Sequence, residues 1–308
     1  MLTIVMPLKR RQLLTWTGLA GLGAATACMR SRAGSSQTNP PAASAAIPTP
    51  VPTTPAGPQL RFAAVADTGT GGEGQYAVAK AMAGYHAQNP FPLVVLAGDN
   101  IYNNGEIEKI SAVFEQPYET LLNQGVKFRA CLGNHDIRTA NGEPQLRYPG
   151  FNMEGRYYTF TQAPVQFFAL DTNGNAAWRT QLAWLDQELS RSTAPWKVVF
   201  GHHPVYSSGH YGVNRAFIRD LTPLFEKHRV QLYINGHDHS YERTQVINGT
   251  TYLICGAGAG TRPVGRSGWT AHSAQRLSFA GLEVYDDRIE IEAIGTDGSV
   301  FDRGVIKL

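Results

Sequence analysis

The chain has 308 residues, a formal net charge of +3 and only 17% charged side chains. Much of that weak basicity sits in Lys9, Arg10, Arg11, Arg30 and Arg32 near the N-terminus, so it gives no case for a nucleic-acid partner. Three cysteines, Cys28, Cys131 and Cys255, exclude a disulfide framework. The apolar settings FRACLG and YLICGAG favour buried free thiols at Cys131 and Cys255, with one bridge between them left open.

Residues 1–27 read as an export signal. Lys9-Arg10-Arg11 is followed by LLTWTGLAGLGAATA, a stretch too short and too rich in Gly and Ala for a membrane span. The twin arginine resembles the signal of the bacterial pathway that exports folded proteins. Cleavage after Ala25-Thr26-Ala27 is one expectation; a lipidated Cys28 is the other, although Ala25 stands where lipoprotein signals usually carry Leu. The expected location is extracytoplasmic, periplasmic or secreted, with membrane contact only through a lipid on Cys28. Residues 28–58 are Pro, Ser, Thr and Ala-rich, with too little apolar surface to fold, and read as a linker. The remaining stretch, 59–308, is about 250 residues and suits one large domain.

Within it, short apolar runs close repeatedly on Gly and a polar cluster. RFAAVAD ends at Asp67, PLVVLAGD at Asp99, and KFRACLGNHD delivers Asn134 and His135. WKVVFGHH delivers His202 and His203, and VQLYINGHDH delivers His237 and His239. Between them, Gln75–Gln88, Ile107–Leu122, Ala176–Ser190 and Asn214–Lys227 have helical character. The last stretch, from SFAGLEV onward, reads as three strands with turns at Asp286-Asp287 and Asp297-Gly298. Alternating strand and helix predict a layered α/β architecture. In open α/β sheets ligands gather beyond the carboxyl ends of the strands. One Asp after a strand is usually a cap or turn former; five strands ending in Asp, Asn or His point to a metal site.

Asp67-Thr68-Gly69, Gly98-Asp99-Asn100-Ile101-Tyr102, Gly133-Asn134-His135-Asp136, Val199-Phe200-Gly201-His202 and Gly236-His237-Asp238-His239 resemble the five ordered blocks of the calcineurin-like metallophosphoesterases. Gly69, where general members carry His, together with Tyr102, resembles the purple acid phosphatase subgroup. The resemblance implies a four-layer α-β-β-α sandwich forming a single catalytic domain. It also implies that Asp67, Tyr102 and His239 bind a first metal, that Asp99 bridges two metals, and that Asn134, His202 and His237 bind the second. The first set is rich in anions, and a trivalent iron would favour the Tyr102 phenolate. Asn134 and the two imidazoles are neutral and suit a divalent ion. Fe(III) beside Fe(II), Zn or Mn is therefore the expected pair. Five metal charges against three ligand anions leave a positive trap for phosphate.

The expected reaction is hydrolysis of small-molecule phosphate monoesters by a metal-bound hydroxide, with a histidine as acid for the leaving oxygen. His135 is the first candidate for that acid and His210 the second. Asp136 is expected to orient a nearby group, and His203 to form wall or to support a ligand rather than bind metal itself. Asp238 is expected to turn outward or bond locally, and Asp171 to be a turn or supporting residue. His86 and His228 are expected at the surface, and His272 near the cleft. Cys255–Gly265 lacks the Lys-Ser/Thr of a P-loop; its glycines are expected to let backbone pass close to the metals. Alternatives are a phosphodiesterase or nucleotide hydrolase using the same metals, and a non-catalytic metal- or phosphate-binding envelope lipoprotein. Redox chemistry at the iron is a possible side activity. Nothing in the sequence indicates oligomeric state.

Overall fold

The computed structural model describes residues 57–308. The export signal, Cys28 and all of the linker but its last two residues lie outside the described part. In chain order the elements are β1 (Leu60–Val65), α1 (Glu73–Gln88), β2 (Leu93–Leu96), α2 (Glu119–Asn123), β3 (Lys127–Ala130), α3 (Glu143–Arg147), β4 (Tyr158–Gln162), β5 (Val165–Ala169) and α4 (Trp178–Arg191). There follow β6 (Trp196–Phe200), α5 (Arg215–Asp220), α6 (Thr222–His228), β7 (Leu232–Asn235), β8 (Tyr241–Thr244), β9 (Thr251–Cys255) and β10 (Thr270–Ala274). The hairpins of β11 (Ser278–Val284), β12 (Arg288–Gly295) and β13 (Val300–Lys307) close the chain.

The strands form two sheets, ordered β13-β12-β11-β1-β2-β3 and β10-β8-β9-β7-β6-β5-β4. Their alternation builds four layers. Phe62 and Ala64 of β1 turn inward to a shared core with Phe167, Val198, Phe200 and Ile234 of the second sheet. Phe62 meets Phe167 edge-on with ring centres 5.2 Å apart. Ala63 and Val65 face outward onto Val78 and Met82 of α1. On the opposite outer layer Val199 and Tyr233 pack against Leu185 and Leu189 of α4 and Phe225 of α6. This is the expected α-β-β-α sandwich.

Two expected helices are broken. The 107–122 segment becomes a 3-10 turn, a wide π-type turn and the short α2, and the 214–227 segment divides at Leu221 into α5 and α6. Pro117 and Pro223 lie at these breaks. A proline removes an amide donor and clashes with the preceding turn, overriding an otherwise helical pattern. Strands β4, β8 and β10 were not anticipated. Cys131 and Cys255 are buried free thiols, and burial raises both pKa values. Among the described residues no helix is long and apolar enough to cross a membrane.

Candidate metal centre

Strands β1, β2 and β3 run parallel, as do β5, β6, β7 and β9. The loops after β1, β2, β3, β6 and β7 consequently open at one rim of the sandwich. Backbone bonds join the sheets there: Ala66 N donates to Cys255 O and Gly258 N to Ala66 O, at 2.9 and 3.2 Å. Asp67, Asp99 and His237 all have positive φ, of 58°, 54° and 68°. Non-glycine residues enter that region at a cost, which surrounding structure must meet.

The glycines beside these residues provide the space. A Cβ on Gly133 would collide with Asp99, one on Gly236 with Asp67, and one on Gly98 with the imidazole of His202. Gly69 presses on the backbone of Asn100, leaving no room for a side chain. Gly256 and Gly258 likewise abut Asp67 and Ala66, as expected for the glycine run after β9.

The donors form two adjoining groups. Tyr102 Oη lies 3.0 Å from Asp67 Oδ1, 3.0 Å from Asp99 Oδ2 and 3.2 Å from His239 Nε2; His239 Nε2 is 3.4 Å from Asp67 Oδ1. In the second group His202 Nε2 lies 3.1 Å from Asn134 Oδ1, 3.2 Å from His237 Nδ1 and 3.4 Å from Asp99 Oδ2. Asp99 Oδ2 belongs to both.

These contacts fit bound cations. Ligands about 2.1 Å from an ion and at right angles to one another are about 3 Å apart. The phenol has one proton for two carboxylate oxygens. His202 commits its Nδ1 hydrogen to the Ala97 carbonyl at 2.9 Å, so in the neutral ring Nε2 presents a lone pair to other acceptors. Burial opposes a charge on His202, but Asp99 and Asp67 outweigh it and raise the pKa to about 10, so without a cation the carboxylates draw a proton onto the same Nε2 that would otherwise ligate. Asp99 is lowered because His202 and the backbone N–H of His135 overcome the cost of burying it. Burial, and then the Asp67 and Asp99 charges, raise the Tyr102 phenol far above its usual value; positive charge at this point would reverse that effect. Burial and the neighbouring histidines lower His237 to about 2, leaving its ring neutral and able to ligate.

Asp136 braces the centre from behind. Its buried carboxylate accepts from Asn100 N, Asn100 Nδ2, Ile101 N and Gly133 N at 2.8–3.1 Å. Burial and Asp99 raise its pKa to about 7, while the donors from Gly133 and Asn100 pull it down.

His135 borders the cluster. Its backbone N–H donates to Asp99 Oδ1 at 2.9 Å, its Nδ1 faces the Asn103 carbonyl at 2.7 Å, and Nε2 lies 3.9 Å from Asp99 Oδ2. Arg138, which sequence reasoning missed, places Nη2 3.3 Å from that Nε2 and Nη1 3.0 Å from Asn103 O. The His210 ring is not among the converging donors. It stands edge-on to Tyr211 with centres 4.8 Å apart, while its backbone N–H donates to Asp238 at 2.9 Å.

Several expectations change. Asp238 is buried rather than outward, and binds Ser207 Oγ, His210 N and Tyr211 N in the neighbouring loop. His203 stands as expected beside a candidate ligand: its ring is 4.4 Å from that of His237 and its Nδ1 2.9 Å from Thr172 Oγ1. His272 packs by Tyr241, Phe301 and Asp302, in none of the metal-cluster contacts. His86 packs edge-on to Phe91, and His228 is largely covered and paired with Asp186 at 2.6 Å, so neither is a simple surface residue. Asp171 caps its own turn through Asn173 and pairs with Arg156 at 3.0 Å.

A two-sheet α/β sandwich with such a donor cluster at its rim defines a metallophosphoesterase. The calcineurin-like phosphoesterase family model matches residues 60–241, and the chain belongs to that family. The curated relatives it matches include purple acid phosphatase 7 of Arabidopsis thaliana, 29% identical over 65% of this chain and 70% of the relative. Tartrate-resistant acid phosphatase type 5 of Oryctolagus cuniculus is 30% identical over 65% of this chain and 73% of the relative. Among solved structures, GAP50, described as the anchor in the inner membrane complex of Plasmodium, superposes with a TM-score of 0.70 at 23% identity, over 82% of this chain and 89% of that one. That likeness supports the fold.

Proposed function

We propose that the chain is an exported acid phosphatase acting on phosphate monoesters, with Fe(III) held by Asp67, Asp99, Tyr102 and His239. Asp99, Asn134, His202 and His237 would hold a neighbouring Fe(II), Zn or Mn. The observation that carries this reading is the Tyr102 hydroxyl, 3.0 Å from both Asp67 and Asp99. Two carboxylates and a phenol in mutual contact suit a hard trivalent cation, whereas the amide and imidazoles of the second group suit a softer divalent one.

When bound, such ions supply Lewis-acid activation of water and charge neutralisation for phosphoryl transfer. The chain's own residues orient the reactants. His202 is fixed in one tautomer by Ala97, and His135 is turned by Asn103 so that Nε2 lies 3.9 Å from Asp99 Oδ2. In the neutral ring that Nε2 carries the lone pair and accepts from Arg138 Nη2; as the imidazolium, His135 can pass its Nε2 proton to the departing alkoxide, while the Arg138 guanidinium turns to hold the phosphate. His210 is the second candidate for that acid, although its ring stands beside Tyr211 rather than among the converging donors.

The first test is metal content, visible absorption and turnover of 4-nitrophenyl phosphate against its bis-ester, for the native protein and Tyr102→Phe. Iron with a broad visible band that the substitution removes, and a preference for the monoester, is the expected result. Colourless protein with two Zn or Mn ions and an unaffected variant would overturn the ferric assignment. Bis-ester preference would overturn the monoester one. Two bound metals without turnover would leave a binding role.

Export is proposed from Arg10-Arg11 and the apolar stretch behind them. Replacing both with Lys should leave unprocessed protein inside the cell; unchanged fractionation would overturn it.

A further inference from the structure

The loop after β6 carries an aromatic ring onto the metal centre. Tyr211 stacks on His237 with ring centres 3.7 Å apart and an angle of 22°, yet 46% of it stays exposed. Val213, 38% exposed, stands two residues on. Exposed large apolar side chains are few among the described residues, and these two share one cavity of about 450 Å³ with His203, Pro204, Arg215 and His237. Cavities of about 510 and 590 Å³ lie elsewhere, beside α1 and beside the end of β13. Of these three, the 450 Å³ cavity alone is bounded by a residue of the donor cluster, His237.

The ring is held in place. The carboxylate of Asp238, between His237 and His239, accepts from Ser207 Oγ, His210 N and Tyr211 N. A Cβ on Gly209 would come within 2.8 Å of that carboxylate, so a glycine lets the loop lie this close. From the other side Arg262 N donates to His239 O at 2.7 Å, and its Nη1 reaches Tyr211 Oη at 3.3 Å. Arg262 and Arg215 make no ion pair among the described residues. An apolar surface exposed on a pinned loop carries little ordering cost when a ligand covers it.

We propose that Tyr211 is a specificity-determining platform for the leaving group, selecting phosphate esters whose alcohol carries a planar aromatic group. This rests on the phosphatase reading of the same centre. An ester whose phosphoryl group sits at the donor cluster beside His237 lays its alcohol portion toward the adjoining cavity, against Tyr211 and Val213. Arg262, at the hydroxyl end of the ring, attracts the phosphoryl charge, and a cavity of this size admits a one- or two-ring group.

Calorimetric titration of the metal-loaded full chain with phenylphosphonate and methylphosphonate tests this, because neither P–C bond is hydrolysed. The native protein is expected to prefer the phenyl compound by about tenfold, the scale of one aromatic contact. Tyr211→Leu is expected to abolish that preference and Tyr211→Phe to keep it. Equal native affinities, or a Tyr211→Leu loss that is the same for both compounds, would overturn the proposal; in the latter case the ring merely covers His237. If neither phosphonate binds protein that holds two metals, the phosphatase reading itself fails.

Discussion

The Nδ1 hydrogen of His202 reaches the carbonyl of Ala97 across 2.9 Å, linking the turn after β6 to the end of β2 and so joining the two sheets beside the donor cluster. The bond fixes the tautomer and aims Nε2 at Asn134, Asp99 and His237. Fold and site meet in one side chain. His202→Asn is expected to lose the second metal and to reduce turnover by more than about 100-fold, beyond the usual cost of changing a residue behind a ligand. Elemental analysis beside a turnover assay checks it; full occupancy of both metals would remove His202 from the ligand set.

Asp136 touches no candidate metal position, yet its carboxylate gathers donors from the loops after β2 and β3. Asp136→Asn turns one acceptor into a donor facing other donors. The expected cost is about 2–3 kcal/mol of stability, with metal affinity lowered 10- to roughly 100-fold. Urea unfolding and metal competition measure the two, and an unchanged unfolding midpoint would contradict this bracing role.

Arg138 has no carboxylate partner among the described residues, and its guanidinium stands at the mouth beside His135. Arg138→Ala is expected to raise KM for phosphate esters by about tenfold, the worth of one charge-assisted hydrogen bond, with a smaller change in kcat. Steady-state kinetics separates the two constants. A fall in kcat with KM unchanged would mean that Arg138 acts through His135.

Asp302 is expected to contribute to acid sensitivity away from the site. Burial opposes its charge, but Arg243 at 2.8 and 3.0 Å and Tyr241 Oη at 2.8 Å hold its pKa below the usual value. His272 Nδ1 lies 3.6 Å from the other oxygen. A depressed folded-state pKa contributes stability that is complete above the unfolded value of about 3.9 and fades as the pH falls through the folded value. Asp302→Asn should therefore cost about 1–2 kcal/mol at neutral pH, and the gap from the native protein should close in strong acid. A gap independent of pH would rule out this charge effect.

Local patterns were legible along the chain. Apolar runs ending in Gly and a polar residue marked β1, β2, β3, β6 and β7, and their loops do bring Asp67, Asp99, Tyr102, Asn134, His202, His237 and His239 together. Glycine signals in such places because a strand-end backbone that packs against a neighbouring carboxylate tolerates no Cβ, as Gly69, Gly133 and Gly236 show. The helix breaks at Pro117 and Pro223 were also written locally, but apolar periodicity obscured them. The remaining contacts arise from the packing of distant segments. Asp238 turns to a loop nearly thirty residues earlier, Arg262 reaches Tyr211 from fifty-one residues away, and His228 finds Asp186 across forty-two. Burial and partnership at those positions come from how layers stack, and side-chain contacts between distant segments leave no period or spacing in the chain to read.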